Sequence, residues 1–253
     1  MVHFVGAGSG AVDLITVRGA RLLKAADVVI YAGSLVNPEL LDYTSKGCEI
    51  YNSAQMTLDE VMEVIRRAES EQKTTVRLHT GDSSIYGAVR EQFDVLDAEG
   101  ISYDVCPGVS SFCGAAASLK AEFTLPDVSQ TVIITRTAGR TAVPEKESIP
   151  SLAQHKATMV FFLSMGVIEK LQAELLEGGV GESMPAAIVY KATWPDEQIY
   201  RCTVGSLAKT AKENHVTKTA LVIVGEFLGE KYERSRLYSP DFSTEYRAAK
   251  TQG

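Results

Sequence analysis

Short apolar runs alternate along the chain with longer stretches in which apolar residues recur every three or four positions. The runs at 2–6, 27–31, 47–51, 74–79 and 102–105 predict strands. The stretches 16–25, 35–43, 57–71 and 85–99 between them predict helices. Leu58, Val61, Met62, Ile65 and Ala68 fall on one helical face. Thr57, with Glu60 three residues on, reads as a capping box, and Thr16 reads as the N-cap of the first helix. Strand–helix alternation of this kind builds a mostly parallel sheet.

A second block opens after Leu125-Pro126. It predicts strands at 130–136, 158–163, 186–191, 198–204 and 219–225, and helices at 149–155, 166–177 and 205–214. The polar segment "TAGRTAVPEKES" (137–148) holds a glycine and a proline and reads as an exposed loop. The pattern therefore predicts an α/β protein of two α/β domains with parallel or mixed sheets. Their expected extents are 1–120 and 121–253, the second ending in a charged, aromatic tail from Glu230.

The length of 253 residues suits one or two domains. An apolar content of 45% suffices for a full core. The net charge of −7 argues against a broad nucleic-acid surface, which needs a basic surplus. The longest apolar run, Met159 to Leu163, is far short of the ~20 residues a membrane helix needs. The first residues carry no basic stretch followed by a long apolar core, so no leader is expected. Cys48, Cys106, Cys113 and Cys202 are scattered, without C-x-x-C pairs or histidines at ligand spacing. They read as small buried hydrophobes in a reducing cytoplasm, and no metal site is expected.

Three loops of the first block share one design: "GAGSGAVDLIT" (6–16), "HTGDSSIYGAVREQ" (79–92) and "CPGVSSFCGAAASL" (106–119). Each follows a strand, is rich in small residues and leads into a helix. In a parallel sheet such loops gather at the carboxyl edge, where ligands bind. Gly6, Gly8 and Ala11 satisfy a loose dinucleotide fingerprint. The acid that should end the next strand is missing, because "DVVIYAG" ends in Tyr31-Ala32 with Asp27 at its wrong end. No Gly-Lys-Ser/Thr follows, so a phosphate loop is excluded. Asp82 reads either as a helix cap or as a ligand carboxylate. His79 reads either as a proton carrier or as a satisfied strand-end histidine.

Taken together and in this order, the three loops resemble those of the tetrapyrrole methylases, S-adenosylmethionine-dependent enzymes with two α/β domains and a ligand cleft between them. The resemblance spans nearly the whole chain. "YAGSLV", "CPGVSSF", "VSQTVIITRTAGRTAVPE", "YKATWPDEQIYRCTV" and "SRLYSPDFSTEYR" are similar to the branch that methylates C11 of precorrin-4 or cobalt-precorrin-4 in cobalamin synthesis.

The resemblance implies cofactor contacts from Gly81, Asp82, Ile85 and Tyr86, from Ser110 and Ser111, and from Leu163, Ala192 and Ala220. It implies that Gly8 and Gly10 border the macrocycle. A proline and an Asp-Pro pair common in the first loop are here Ser9 and Ala11-Val12, and Ser83 replaces a proline common after the loop aspartate. A macrocycle bearing many carboxylates needs a local cationic grip, and arginine binds carboxylates bidentately. Arg136, Arg140, Lys191 and Arg90 are the candidates, and Trp194 and Tyr86 offer either stacking or core packing. No nucleophilic constellation is present, and alignment of donor and acceptor is expected to supply much of the rate. Partners are therefore a precorrin-type tetrapyrrole and a second copy in a homodimer. The readings set against this one are another tetrapyrrole or diphthamide methyltransferase, an NAD-dependent oxidoreductase, and a tetrapyrrole carrier without turnover.

Overall fold

The computed structural model describes residues 1–250. The chain divides into two compact units, 1–118 with 191–198, and 119–190 with the remainder. The sequence assigns all of 121–253 to the second domain, but "KATWPDEQ" (191–198) packs with the first.

The first unit holds a five-stranded sheet of β1 (Val2–Gly6), β2 (Val28–Tyr31), β3 (Glu49–Asn52), β4 (Thr75–His79) and β5 (Tyr103–Cys106). Its order is β3-β2-β4-β1-β5, and every pairing is parallel. Strands buried on both faces are read as continuous apolar runs. Val5, Val29, Val76 and Leu78 pack with Leu23 of α1 (Val17–Ala25) on one face. Phe4 and Ile30 pack on the other face with Met62 and Ile65 of α2 (Leu58–Ser70) and Leu96 of α3 (Arg90–Glu99). The last helix of this unit's run is α4 (Ser111–Leu119).

Both predicted caps are present. Thr16 Oγ1 accepts from the Gly19 N–H at 3.0 Å, and Thr57 and Glu60 form a reciprocal capping box. Two predicted helices are shortened. Residues 35–43 contain only a 3-10 helix, Pro38–Tyr43, entered from Asn37. The stretch 85–99 becomes helical only at Arg90, because Tyr86 and Ala88 are left-handed at φ 55° and 49°. Between them Gly87 presses on the Ser83 carbonyl, where a Cβ would lie 2.1 Å from the oxygen.

The second unit holds β6 (Val132–Arg136), β7 (Thr158–Phe162), β8 (Pro185–Tyr190), β9 (Gln198–Thr203) and β10 (Ala220–Val224) in the order β6-β7-β10-β8-β9. β6 and β7 are parallel, whereas β10 runs antiparallel to both of its neighbours, so this sheet is mixed. Phe161, Ile188 and Val222 form its core with Ile149 of α5 (Ile149–Ala153), Leu171 and Leu175 of α6 (Ile168–Glu177) and Leu207 of α7 (Leu207–Glu213).

Candidate ligand site

β4, β1 and β5 are neighbours, so the three small-residue loops leave the same sheet edge side by side. They meet backbone to backbone. Gly8 and Gly81 exchange two main-chain hydrogen bonds, of 3.3 and 2.9 Å. A Cβ on Gly108 would lie 2.1 Å from the Gly81 carbonyl oxygen, and one on Gly6 would lie 2.6 Å from Gly108 Cα. The glycines are therefore required first by the loops themselves. Gly10, expected to border the macrocycle, lies against Trp194, whose Cδ1 would be 2.1 Å from an added Cβ.

Both carboxylate oxygens of Asp82 are hydrogen-bonded within the protein. Its Oδ1 accepts from the Ser84 N–H at 2.9 Å and from the Ser84 hydroxyl. Its Oδ2 accepts from the Gly108 N–H at 2.8 Å. Burial raises the carboxyl pKa, but the bonds from Ser84 and Gly108 outweigh it and hold the group below its ordinary value. The helix-cap reading is not met, since α3 starts eight residues later. Asp82 is instead a turn former and a staple between the second and third loops.

Ile85 is half-buried and Tyr86 is 45% exposed. Ser110 is buried and its carbonyl opens the hydrogen-bonding of α4, which begins at Ser111. Two buried polar residues that the sequence reading left without a role support this edge from below. Arg77 donates to Gln92 Oε1 at 3.0 Å and to the Ile30 carbonyl at 2.9 Å. Gln92 in turn donates to the Ala88 carbonyl at 3.0 Å, fixing the left-handed bend. Burial brings the Arg77 pKa down to about 10.

His79 is buried, with Nε2 lacking a partner. Burial and then the Arg77 charge lower its pKa to about 3, so the imidazole is neutral at ordinary pH and a poor proton carrier. Nor is it the satisfied strand-end histidine of the alternative reading.

In the second unit, the register of Val222 with Phe161 brings Ala220 level with Leu163, and Ala220 pairs with Tyr190. The ends of β6, β7 and β8 and the start of β10 thus share one edge. Leu163 stands there at φ 51° and 65% exposed. A non-glycine residue in this region costs on the order of 1–3 kcal/mol, and such residues cluster at ligand sites. Thr137, after β6, takes a 2.9 Å bond from its N–H to Ser164 Oγ.

The proposed cations divide. Arg136 donates to the carbonyls of Thr141 and Ala142 at 3.2 and 2.7 Å, closing the loop that follows β6. Lys170 donates to Ala138 in the same loop. Arg140 is exposed within that loop. Lys191 pairs with Asp196 at 2.6 Å and lies 5.2 Å from the Trp194 ring centroid. Arg90 is 87% exposed and pairs with Asp94 along α3, a solvated helix pair. Ala192, which follows Lys191, is buried.

The residues fit an adenosyl sulfonium better than a pyrophosphate. A 3-10 turn, Val12–Leu14, separates the first glycines from α1, so no helix N-terminus faces them. The Thr80 and Thr137 hydroxyls are buried without protein partners, next to Gly81 and to the Leu163-Ser164 pair respectively. Each is free to bond a polar, uncharged ligand group. All four cysteines are free, and Cys113 is exposed where a buried residue was expected. Among the described residues no group of His, Cys, Asp or Glu could hold a metal ion, and no helix is long and apolar enough to cross a membrane.

The two sheets and the loop triad define a tetrapyrrole (corrin/porphyrin) methylase: the pattern of that family matches residues 1–208, and the chain belongs to it. The cobalt-precorrin-4 C(11)-methyltransferase of Methanocaldococcus jannaschii is 53% identical over 97% of this chain and 95% of its own. The X-ray structure of a cobalamin biosynthetic enzyme, cobalt precorrin-4 methyltransferase, superposes with a TM-score of 0.88. It is 44% identical, over 90% of this chain and 96% of that one. A uroporphyrin-III C-methyltransferase from Thermus thermophilus, solved with S-adenosyl homocysteine, gives a TM-score of 0.75 at 26% identity. That match covers 91% of this chain and 95% of the other.

Proposed function

We propose that this protein transfers the methyl group of S-adenosylmethionine to C11 of cobalt-precorrin-4, leaving S-adenosylhomocysteine. The observation that carries the reading is the identity of 53% to a C(11)-methyltransferase across 97% of the chain. That span includes the stretches "TRTAGRTAVPE" and "YKATWPDEQ", outside the loops shared by the wider family.

Bound S-adenosylmethionine supplies an activated methyl group on a sulfonium. The first unit offers it Gly81, Asp82, Ile85, Tyr86, Ser110, Ser111 and Ala192. Leu163 and Ala220 keep the cofactor role that the family resemblance implies. Asp82 acts by holding its loop on Gly108, and the side chains of Tyr86 and Leu163 provide apolar surface. Rate then comes from holding donor sulfur, methyl and acceptor carbon in line in a dry site, and no side chain needs to attack. Arg140 grips the peripheral carboxylates of the macrocycle, while Arg136 sets the loop that carries it. Gly8 and Gly10 let the first loop fold against Leu14 and Trp194, and this loop is the one that borders the macrocycle in the reading.

Incubation with S-adenosylmethionine and either cobalt-precorrin-4 or metal-free precorrin-4, followed by mass spectrometry, tests the reading. One added methyl on the cobalt form supports it. Turnover of the metal-free form alone moves the substrate to precorrin-4, and no product from either rejects the reading.

The protein works as a cytoplasmic homodimer in this account. Support comes from the tail, where Leu237, Tyr238 and Tyr246 are 54%, 82% and 90% exposed, an apolar surface that a second copy would cover. A stable monomer by light scattering at working concentration would contradict the dimer.

A further inference from the structure

The turn 193–197 is tied to the first small-residue loop at several points. Thr193 Oγ1 accepts from the Ala11 N–H at 3.1 Å and shares a 2.9 Å hydrogen bond with Ser9 Oγ. Trp194 closes over Gly10, and Gly114 of α4 fits against both Ser9 and the Thr193 methyl. From the other side buried Asn37 donates to the Gly10 carbonyl at 2.9 Å. The loop 9–11 is thus clamped between Asn37 and Thr193.

One carboxylate holds the turn in shape. Glu197 Oε2 accepts from the Thr193 N–H and from the Ser118 hydroxyl of α4. Thr193 is left-handed at φ 67°, a conformation a β-branched residue adopts only under such constraint. A surface turn with no task would not need a strained residue, a shared carboxylate and a tryptophan fitted over a glycine.

We propose that the Thr193–Glu197 turn sets the position of Ser9–Ala11 against the macrocycle, with Thr193 and Glu197 as positioning residues that determine substrate specificity. This rests on the reading above that the first loop borders the macrocycle. The hydroxyl of Thr193 fixes the loop, and Glu197 acts through Thr193. Neither touches the reacting atoms. The cofactor is assigned mainly to the second and third loops, with Ala192 its one contact beside the turn, so loss of the Thr193 hydroxyl should weaken macrocycle binding far more than cofactor binding.

The test compares Thr193→Val with Thr193→Ser. Valine keeps the shape and the methyl contact but loses the acceptor, and serine keeps the acceptor. Valine loses both the Ala11 and the Ser9 bond, and two such bonds at roughly fivefold each set the scale at about tenfold or somewhat more in affinity. The expected result is a KM for cobalt-precorrin-4 raised about tenfold in Thr193→Val, with S-adenosylhomocysteine affinity by calorimetry within about twofold of the wild type. Thr193→Ser should restore the KM.

A wild-type KM in Thr193→Val overturns the proposal. So does a parallel loss of macrocycle and cofactor affinity that tracks the melting temperature, since that marks a merely structural role. If Thr193→Val does not fold, Glu197→Gln and Glu197→Ala are read by the same split, with glutamine the milder of the two. Wild-type protein that binds S-adenosylhomocysteine yet never turns over the macrocycle defeats the substrate reading, and this proposal with it. Normal wild-type turnover with an unaltered Thr193→Val defeats this proposal alone.

Discussion

The Asp82 carboxylate accepts the Gly108 N–H at 2.8 Å and so fastens the second small-residue loop to the third. The carboxylate sits where a ligand carboxylate was expected, but both of its oxygens already bond the protein. Its value to a cofactor is the spacing it imposes between the two loops that bear Gly81, Ile85, Ser110 and Ser111.

Asp82→Ala is therefore expected to weaken S-adenosylhomocysteine binding by about 10- to 100-fold, since a hydrogen bond to a charged group contributes roughly 1.5–3 kcal/mol. The fold should survive, because the second loop stays joined to the first through Gly8 and Gly81. Calorimetry with circular dichroism checks both points. Unchanged affinity in a folded variant would remove Asp82 from the site.

Gly108→Ala should be far more damaging. Its Cβ would meet the Gly81 carbonyl at 2.1 Å, and the obstacle is backbone, which no rotamer change can move. Overpacking of this kind costs about 1–3 kcal/mol or more, so the melting temperature should fall clearly. A variant as stable as the wild type would show that the loops are free to separate.

His79 gives a pH signature. Its folded pKa, about 3, lies below the ordinary 6.5, so the unfolded chain binds the proton first. The stabilisation is complete above about 6.5 and is lost as pH falls from there toward 3, at up to about 1.4 kcal/mol per pH unit. Urea melts between pH 7 and 4 should show this slope, and His79→Gln should flatten it. Equal slopes in the two proteins would mean that His79 titrates normally.

Arg136 and Arg140 should separate. Arg140→Ala is expected to raise the macrocycle KM several-fold with cofactor affinity intact, as for a charge at the rim of a site. Arg136→Ala releases the carbonyls of Thr141 and Ala142, so proteolysis within 137–143 should quicken as well. Equal proteolysis of wild type and Arg136→Ala would restore Arg136 as a direct ligand of the macrocycle.

Much of this was written in the sequence. The central strands announced themselves because β1, β2 and β4 are buried on both faces, and α2 because its apolar stripe repeats with the helical period. The three loops were visible as small residues after strands. What escaped depended on left-handed backbone at ordinary residues or on contacts distant along the chain. Nothing in "SIYGAV" signals that Tyr86 and Ala88 break the helix. Likewise nothing in "KATWPDEQ" signals that it folds back on residues 9–11, a separation of more than 180 residues. Arg136 looked like a ligand for carboxylates because charge is legible in a sequence, whereas carbonyls waiting five and six residues on are not. The roles of Arg77 and Gln92 were hidden for a related reason, since a polar residue inside an apolar strand can be placed only once its partner is known.

The site of methylation can be read from the product itself. Cobalt-precorrin-4 is incubated with the protein and S-adenosylmethionine carrying a carbon-13 methyl group, and the product is examined by carbon NMR. The account predicts a single labelled methyl at C11. Label at another ring carbon would contradict the C11 assignment while leaving the family in place, and no label in the macrocycle would contradict the proposed reaction itself.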